Sequence, residues 1–122
     1  LDTSEIRRDI EAGCEVARAH GLSPVDHCCC GNFGRVEILQ TASEKLGRPE
    51  LREAALRQTA RLLEIARTEG GFACFGSLSR VLLSPGFFGG ISGIGYTLLR
   101  LAYPGKLPSV LAFDSHHHSP RF

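Results

Sequence analysis

Two glycine-bracketed tetrapeptides, Gly31-Asn32-Phe33-Gly34 and Gly86-Phe87-Phe88-Gly89, lie 55 residues apart, and each precedes a run of small or apolar residues. Between them lies a charged, periodic segment over 50–68. That alternation is what a stack of helical hairpins requires, with apolar helices inside and half-polar helices outside. It predicts an all-α chain. It also predicts that the apolar helix over 91–102 needs neighbours beyond two hairpins, because a helix apolar on most of its circumference is buried all round.

Helical spacing supports each element of that stack. Over 4–20, Ile6, Ile10, Gly13 or Cys14, and Ala17 recur between charged positions, with Thr3 or Ser4 as N-cap and Gly21 and Pro24 as the stop. After Gly31, the residues Phe33, Val36, Leu39 and Ala42 continue the pattern to Gly47 and Pro49. The clearest helix, over 50–68, carries Leu51, Ala55, Leu62, Ile65 and Ala66 as a stripe and ends at Gly70 and Gly71. The stretch 72–83 reads either as a short strand at Val81, Leu82 and Leu83 or as a buried irregular segment. In the run 91–102, Gly93 and Gly95 let another backbone approach closely. Leu107 to Phe113 is a short apolar segment, and the polar end at 115–122, with His116, His117 and His118, is expected to be a flexible tail.

Composition narrows the function. The chain has 122 residues, room for one modest domain, and 43% of them are hydrophobic against 22% charged, a globular balance. Fourteen Lys and Arg face thirteen Asp and Glu, so no dense basic field is available for a phosphate backbone, and no nucleic-acid partner is expected. No apolar stretch approaches the roughly 20 residues that span a bilayer. The chain lacks Met altogether, which suggests that Leu1 is an internal position of a longer polypeptide.

The five cysteines are Cys14, the triplet Cys28-Cys29-Cys30, and Cys74. An odd count and three adjacent thiols are awkward for a disulfide framework, so free thiols or metal ligands in a reducing cytoplasm are expected. Thiolates bind zinc readily, and adjacent cysteines in a turn can reach one ion. The competing reading is that they are small buried residues or free thiols. The spacing matches no zinc finger or ribbon.

The run Asp26-His27-Cys28-Cys29-Cys30-Gly31-Asn32-Phe33-Gly34-Arg35-Val36-Glu37 is followed by Pro85-Gly86-Phe87-Phe88-Gly89-Gly90-Ile91-Ser92-Gly93-Ile94-Gly95-Tyr96-Thr97-Leu98-Leu99-Arg100-Leu101-Ala102 and by Leu107-Pro108-Ser109-Val110-Leu111. Together they resemble the end of the LanC-like cyclase domain of class II (LanM-type) lanthipeptide synthetases, in the subgroup with Cys-Cys-Gly where relatives have Cys-His-Gly. The resemblance covers residues 1–114 and implies an α/α toroid, incomplete in this chain.

It further implies Zn2+ held by Cys29 and Cys30 with an upstream Cys. The acid/base His of the family also lies upstream, so no catalytic residue is assigned in this chain. Cys28, Asn32 and Arg35 are supporting candidates, with Cys28 either a spare thiol or a competing ligand. The implied reaction is a zinc-dependent Michael-type addition of peptide cysteine thiols to dehydroalanine or dehydrobutyrine, forming lanthionine or methyllanthionine rings. The implied partners are the dehydrated precursor peptide and the upstream remainder of the synthetase, and the isolated chain is expected to be inactive. The alternative is a non-catalytic zinc-binding or thiol redox helical module, and a third reading is a plain helical interaction domain.

Other features carry less chemistry. Gly89-Gly90-x-x-Gly93-x-Gly95 fits no phosphate-loop pattern and reads as close helix packing. Phe33 and Tyr96 read as core. His27 adjoins the triplet but matches no ligand position, and Arg35 with Glu37 either brace the loop by charge pairing or form a solvated face.

Overall fold

The computed structural model describes residues 2–114 and places four α-helices and no strand among them: α1 (Ser4–Ala19), α2 (Asn32–Leu46), α3 (Pro49–Glu69) and α4 (Ile91–Ala102). The tail over 115–122, with its three His, lies outside the described residues. Thr3 caps α1, its Oγ1 accepting the Ile6 N–H at 3.3 Å. Gly47 ends α2 and Gly70 ends α3, both with positive φ, and Pro49 opens α3 where its missing N–H costs nothing. Only Gly47 and Arg48 separate α2 from α3, so the two form a tight antiparallel hairpin.

The centre of the fold is α2. It packs most extensively on α3 and also on α1 and α4. Phe33, Val36 and Leu39 of α2, Leu51 and Ala55 of α3 and Ile94 of α4 are fully buried, and each buried Leu, Ile or Phe contributes about 1.5–3 kcal/mol by leaving water. The outer helix α1 buries only Cys14 and Ala17 and leaves Ile6, Ile10 and Val16 exposed. No helix among the described residues is long and apolar enough to cross a membrane.

One expectation changes. The segment 72–83 forms no strand and runs irregularly over the loop before α2; Ala73 and Cys74 are buried there, but Val81, Leu82 and Leu83 are exposed rather than buried. Helix α4 is buried on one side only, through Gly93, Ile94, Thr97, Arg100 and Leu101, while Leu99 stays half exposed. The close approach expected at its glycines occurs at Gly93, where a Cβ would collide with the Phe87 carbonyl and lie 3.1 Å from the Cys28 sulfur; Gly95 has open space.

Candidate thiol site

The cysteine triplet sits on the turn that leads into α2, and the turn is pinned by a buried polar network. Asp26 is buried and donates its N–H to the Ala73 carbonyl at 2.7 Å. Its Oδ2 accepts the Ala73 N–H at 2.7 Å and Arg80 Nη1 at 3.2 Å, and its Oδ1 accepts Asn32 Nδ2 at 2.8 Å. The Asn32 amide also donates to the Ser23 carbonyl at 3.0 Å, while its Oδ1 accepts the Ser23 N–H at 2.7 Å and Arg35 Nη2. The N–H groups of Gly31, Asn32 and Phe33 go to the carbonyls of His27, Val25 and Asp26. Three of the donors at this helix start that would otherwise be orphaned are therefore used locally. Gly31 and Gly34 are required by the tightness of the turn, because a Cβ on either would collide with the carbonyl of His27 or Cys28 respectively.

Replacing Asp26 with Asn keeps the shape but removes the charge opposite Arg80 and turns an N–H2 group toward existing donors. We expect Asp26→Asn to cost about 2 kcal/mol, read by urea denaturation. A loss under 0.5 kcal/mol, a bound of roughly the size found for surface changes, would show that the network is dispensable.

This geometry sorts the three thiols. Cys28 turns inward, 2% exposed, with Sγ 3.3 Å from Thr97 Oγ1 of α4. Burial pushes its thiol pKa up, the Thr97 hydrogen bond opposes that shift, and the negative charge of Glu37 adds to it. Because the folded value is raised, the stability this thiol contributes is complete below the unfolded thiol range and is lost as pH climbs through the raised value. Cys29 and Cys30 are exposed, free thiols. The Cys29 N–H donates to the Phe88 carbonyl at 2.9 Å, tying the triplet to the second glycine-rich loop. Cys14 and Cys74 are buried elsewhere in the fold. His27 is half-buried, and its Nδ1 is buried without a hydrogen-bond partner.

A hollow of about 120 Å³ lies beside the triplet, lined by the three cysteines, Gly34, Arg35 and Ile38. A larger apolar cavity of about 540 Å³ runs between α1, α2 and the 109–112 turn past Ile10, Ile38 and Leu46, but neither exposed thiol lines it.

The donor set does not fit the implied zinc ion. No group of three or more His, Cys, Asp or Glu side chains that could hold a metal is present among the described residues. The physical reason is the turn itself, which sends Cys28 into the core toward α4 and leaves only Cys29 and Cys30 outside, while the carboxyl of Asp26 is occupied by Ala73, Asn32 and Arg80. Zinc sites use at least three protein ligands. The expectation of Zn2+ as cofactor, and with it the zinc-dependent thioether cyclisation, is corrected on that ground. Asn32 and Arg35 brace the turn, Arg35 donating to the Gly21 carbonyl at 2.8 Å and to Asn32.

Glu37 does not pair with Arg35. It is buried and bound to Arg100, which also reaches Glu44. The sequence reading gave no role to the Asp26 or Arg100 networks. A signal for the second was present, because Arg100 is the single charged residue in an apolar helix, and such residues are buried only when paired.

The fold and the site define an all-α domain of hairpin-connected helices that carries an accessible pair of thiols. The chain belongs to the lanthionine synthetase C-like family, whose model matches residues 1–112. No curated protein and no solved structure matches it.

Proposed function

We propose that this chain is a non-catalytic thiol redox module of a lanthionine synthetase C-like domain, presenting Cys29 and Cys30 for reversible exchange with disulfides. The observation that carries the reading is the sorting of the triplet: two adjacent thiols are free and exposed while the third is buried against Thr97. In each exchange a cysteine sulfur attacks one sulfur of a disulfide, the S–S bond breaks, a mixed disulfide forms, and the departing thiolate takes up the proton the cysteine released. Family membership favours a cysteine-bearing peptide as the natural partner, here the dehydrated precursor peptide, with the upstream remainder of the synthetase as the second partner. The Cys29-Cys30-Gly31 order supports the class II subgroup, the helical hairpins support part of an α/α toroid over residues 1–114, and free exposed thiols suit the cytoplasm.

The test is exchange of the full chain with hydroxyethyl disulfide, followed by peptide mapping. Cys29 and Cys30 are expected to form mixed disulfides that dithiothreitol reverses, on the order of 100-fold faster than Cys14, Cys28 and Cys74, whose reaction requires opening of the core. Equal rates at all five cysteines, or none at Cys29 and Cys30, would reject the reading.

A further inference from the structure

The hollow beside the exposed thiols has a charge that the turn does not need for its own neutrality. Arg35, in the second turn of α2, lines it, and its guanidinium is bonded only to neutral oxygens, the Gly21 carbonyl and Asn32 Oδ1. Among the described residues Arg35 makes no ion pair; the nearest acids in sequence are spent elsewhere, Asp26 on Arg80, and Glu37 and Glu44 on Arg100. The other lining residues are cysteines, glycines, Ile38 and Leu111, so no carboxylate borders the space. The first turn of α2, with no acidic residue, adds the positive end of a helix beside the same thiols. Burial of the guanidinium without a counter-ion pushes its pKa down, which is the direction an incoming anion would reverse. The space is about four water volumes, enough for a short chain ending in a carboxylate.

We infer that the hollow selects small carboxylate-bearing disulfides and thiols, with Arg35 binding the carboxylate while Cys29 or Cys30 exchanges with the sulfur. This rests on the proposed thiol chemistry and names its substrate class. A guanidinium suits the task because its planar fork can donate to both carboxylate oxygens, and Nη1 and Nη2 each donate only one bond to the turn. The exchange itself follows the balance given above, the disulfide being the oxidant and leaving as its carboxylate-bearing thiol.

The experiment compares three disulfides on the full chain: dithiodipropionate, which is anionic, hydroxyethyl disulfide, which is neutral, and cystamine, which is cationic. Rates at Cys29 and Cys30 are read by peptide mapping and referred to the same thiols in the urea-unfolded chain. Folding is expected to raise the dithiodipropionate-to-cystamine rate ratio roughly tenfold, and added salt to erode that gain. Arg35→Gln should return the ratio to its unfolded value, and Arg35→Lys should retain part of it. A ratio that is the same in the folded and unfolded chain, with hydroxyethyl disulfide still reacting at Cys29 and Cys30, overturns the selectivity while leaving the thiol module standing. Failure of all three disulfides at these cysteines overturns both. Because the ratio is read on the unaltered chain, a variant that fails to fold does not decide the matter.

Discussion

Substitution of Arg100 by Met is expected to destabilise the chain by about 3–5 kcal/mol, the range for breaking a buried ion pair from one side. Arg100 is 1% exposed and each of its nitrogens is in use. Nε donates to the Leu107 carbonyl at 3.1 Å, Nη1 to Glu37 and to Thr41 Oγ1 at 3.2 Å, and Nη2 to Glu44 Oε2 at 2.7 Å. One side chain thus joins α4 to α2 and to the turn beyond α4. With Met in its place, Glu37 remains buried with Ser109 at 2.7 Å as its nearest donor, and its Oε2 already lacks a partner. Arg100→Lys keeps the charge but cannot span Glu37, Glu44 and Leu107 at once, so an intermediate loss is expected. Combining Arg100→Met with Glu37→Gln should cost clearly less than the sum of the two single changes, because the second removes the charge that the first leaves unpaired. Urea denaturation followed by circular dichroism decides this. A loss below about 1 kcal/mol for Arg100→Met would mean that α4 is held by apolar packing alone.

The difference between what the sequence revealed and what it hid follows the range of the interactions. Helices α1, α2 and α3 were legible because their signals are local: apolar spacing, Thr3 before α1, Pro49 at the start of α3, and Gly47 and Gly70 at the ends. The 72–90 segment was not legible, because what shapes it is distant in sequence. Ala73 and Arg80 meet Asp26, and Phe88 meets Cys29, contacts that no window of neighbouring residues contains. Its apolar run at 81–83 therefore suggested burial, although those side chains are exposed among the described residues. The thiol site was half legible. Three adjacent cysteines announced sulfur chemistry, and Cys29 and Cys30 stood apart as the ligand pair, but adjacency alone left Cys28 open as a spare thiol or a competing ligand. The direction of each is set by the Gly31 and Gly34 turn and by Thr97, 69 residues from Cys28.

That long-range dependence makes Gly93 the position where a single methyl group should do most to the site. An added Cβ would overlap the Phe87 carbonyl and press on the Cys28 sulfur at 3.1 Å, so either the 85–90 loop or α4 must move away. Both partners are backbone or fully buried, so no flexible side-chain end can yield, and Gly93→Ala is expected to cost about 3 kcal/mol or more. The control lies two residues further on. Gly95 has nothing within 4 Å of its would-be Cβ, and Gly95→Ala in a helix interior is expected to be neutral or to stabilise by up to about 1 kcal/mol. Stability should therefore move in opposite directions for two glycine-to-alanine changes in the same helix. The site offers a second readout, because displacement of the 85–90 loop releases the Phe88 carbonyl from the Cys29 N–H and uncovers Cys28. Alkylation of Cys28 in the folded state should then approach the rates at Cys29 and Cys30 in Gly93→Ala, and stay slow in Gly95→Ala. Equal stability and equal Cys28 protection in the two variants would show that the loop and α4 are not clamped at Gly93, and that the burial of Cys28 has another cause.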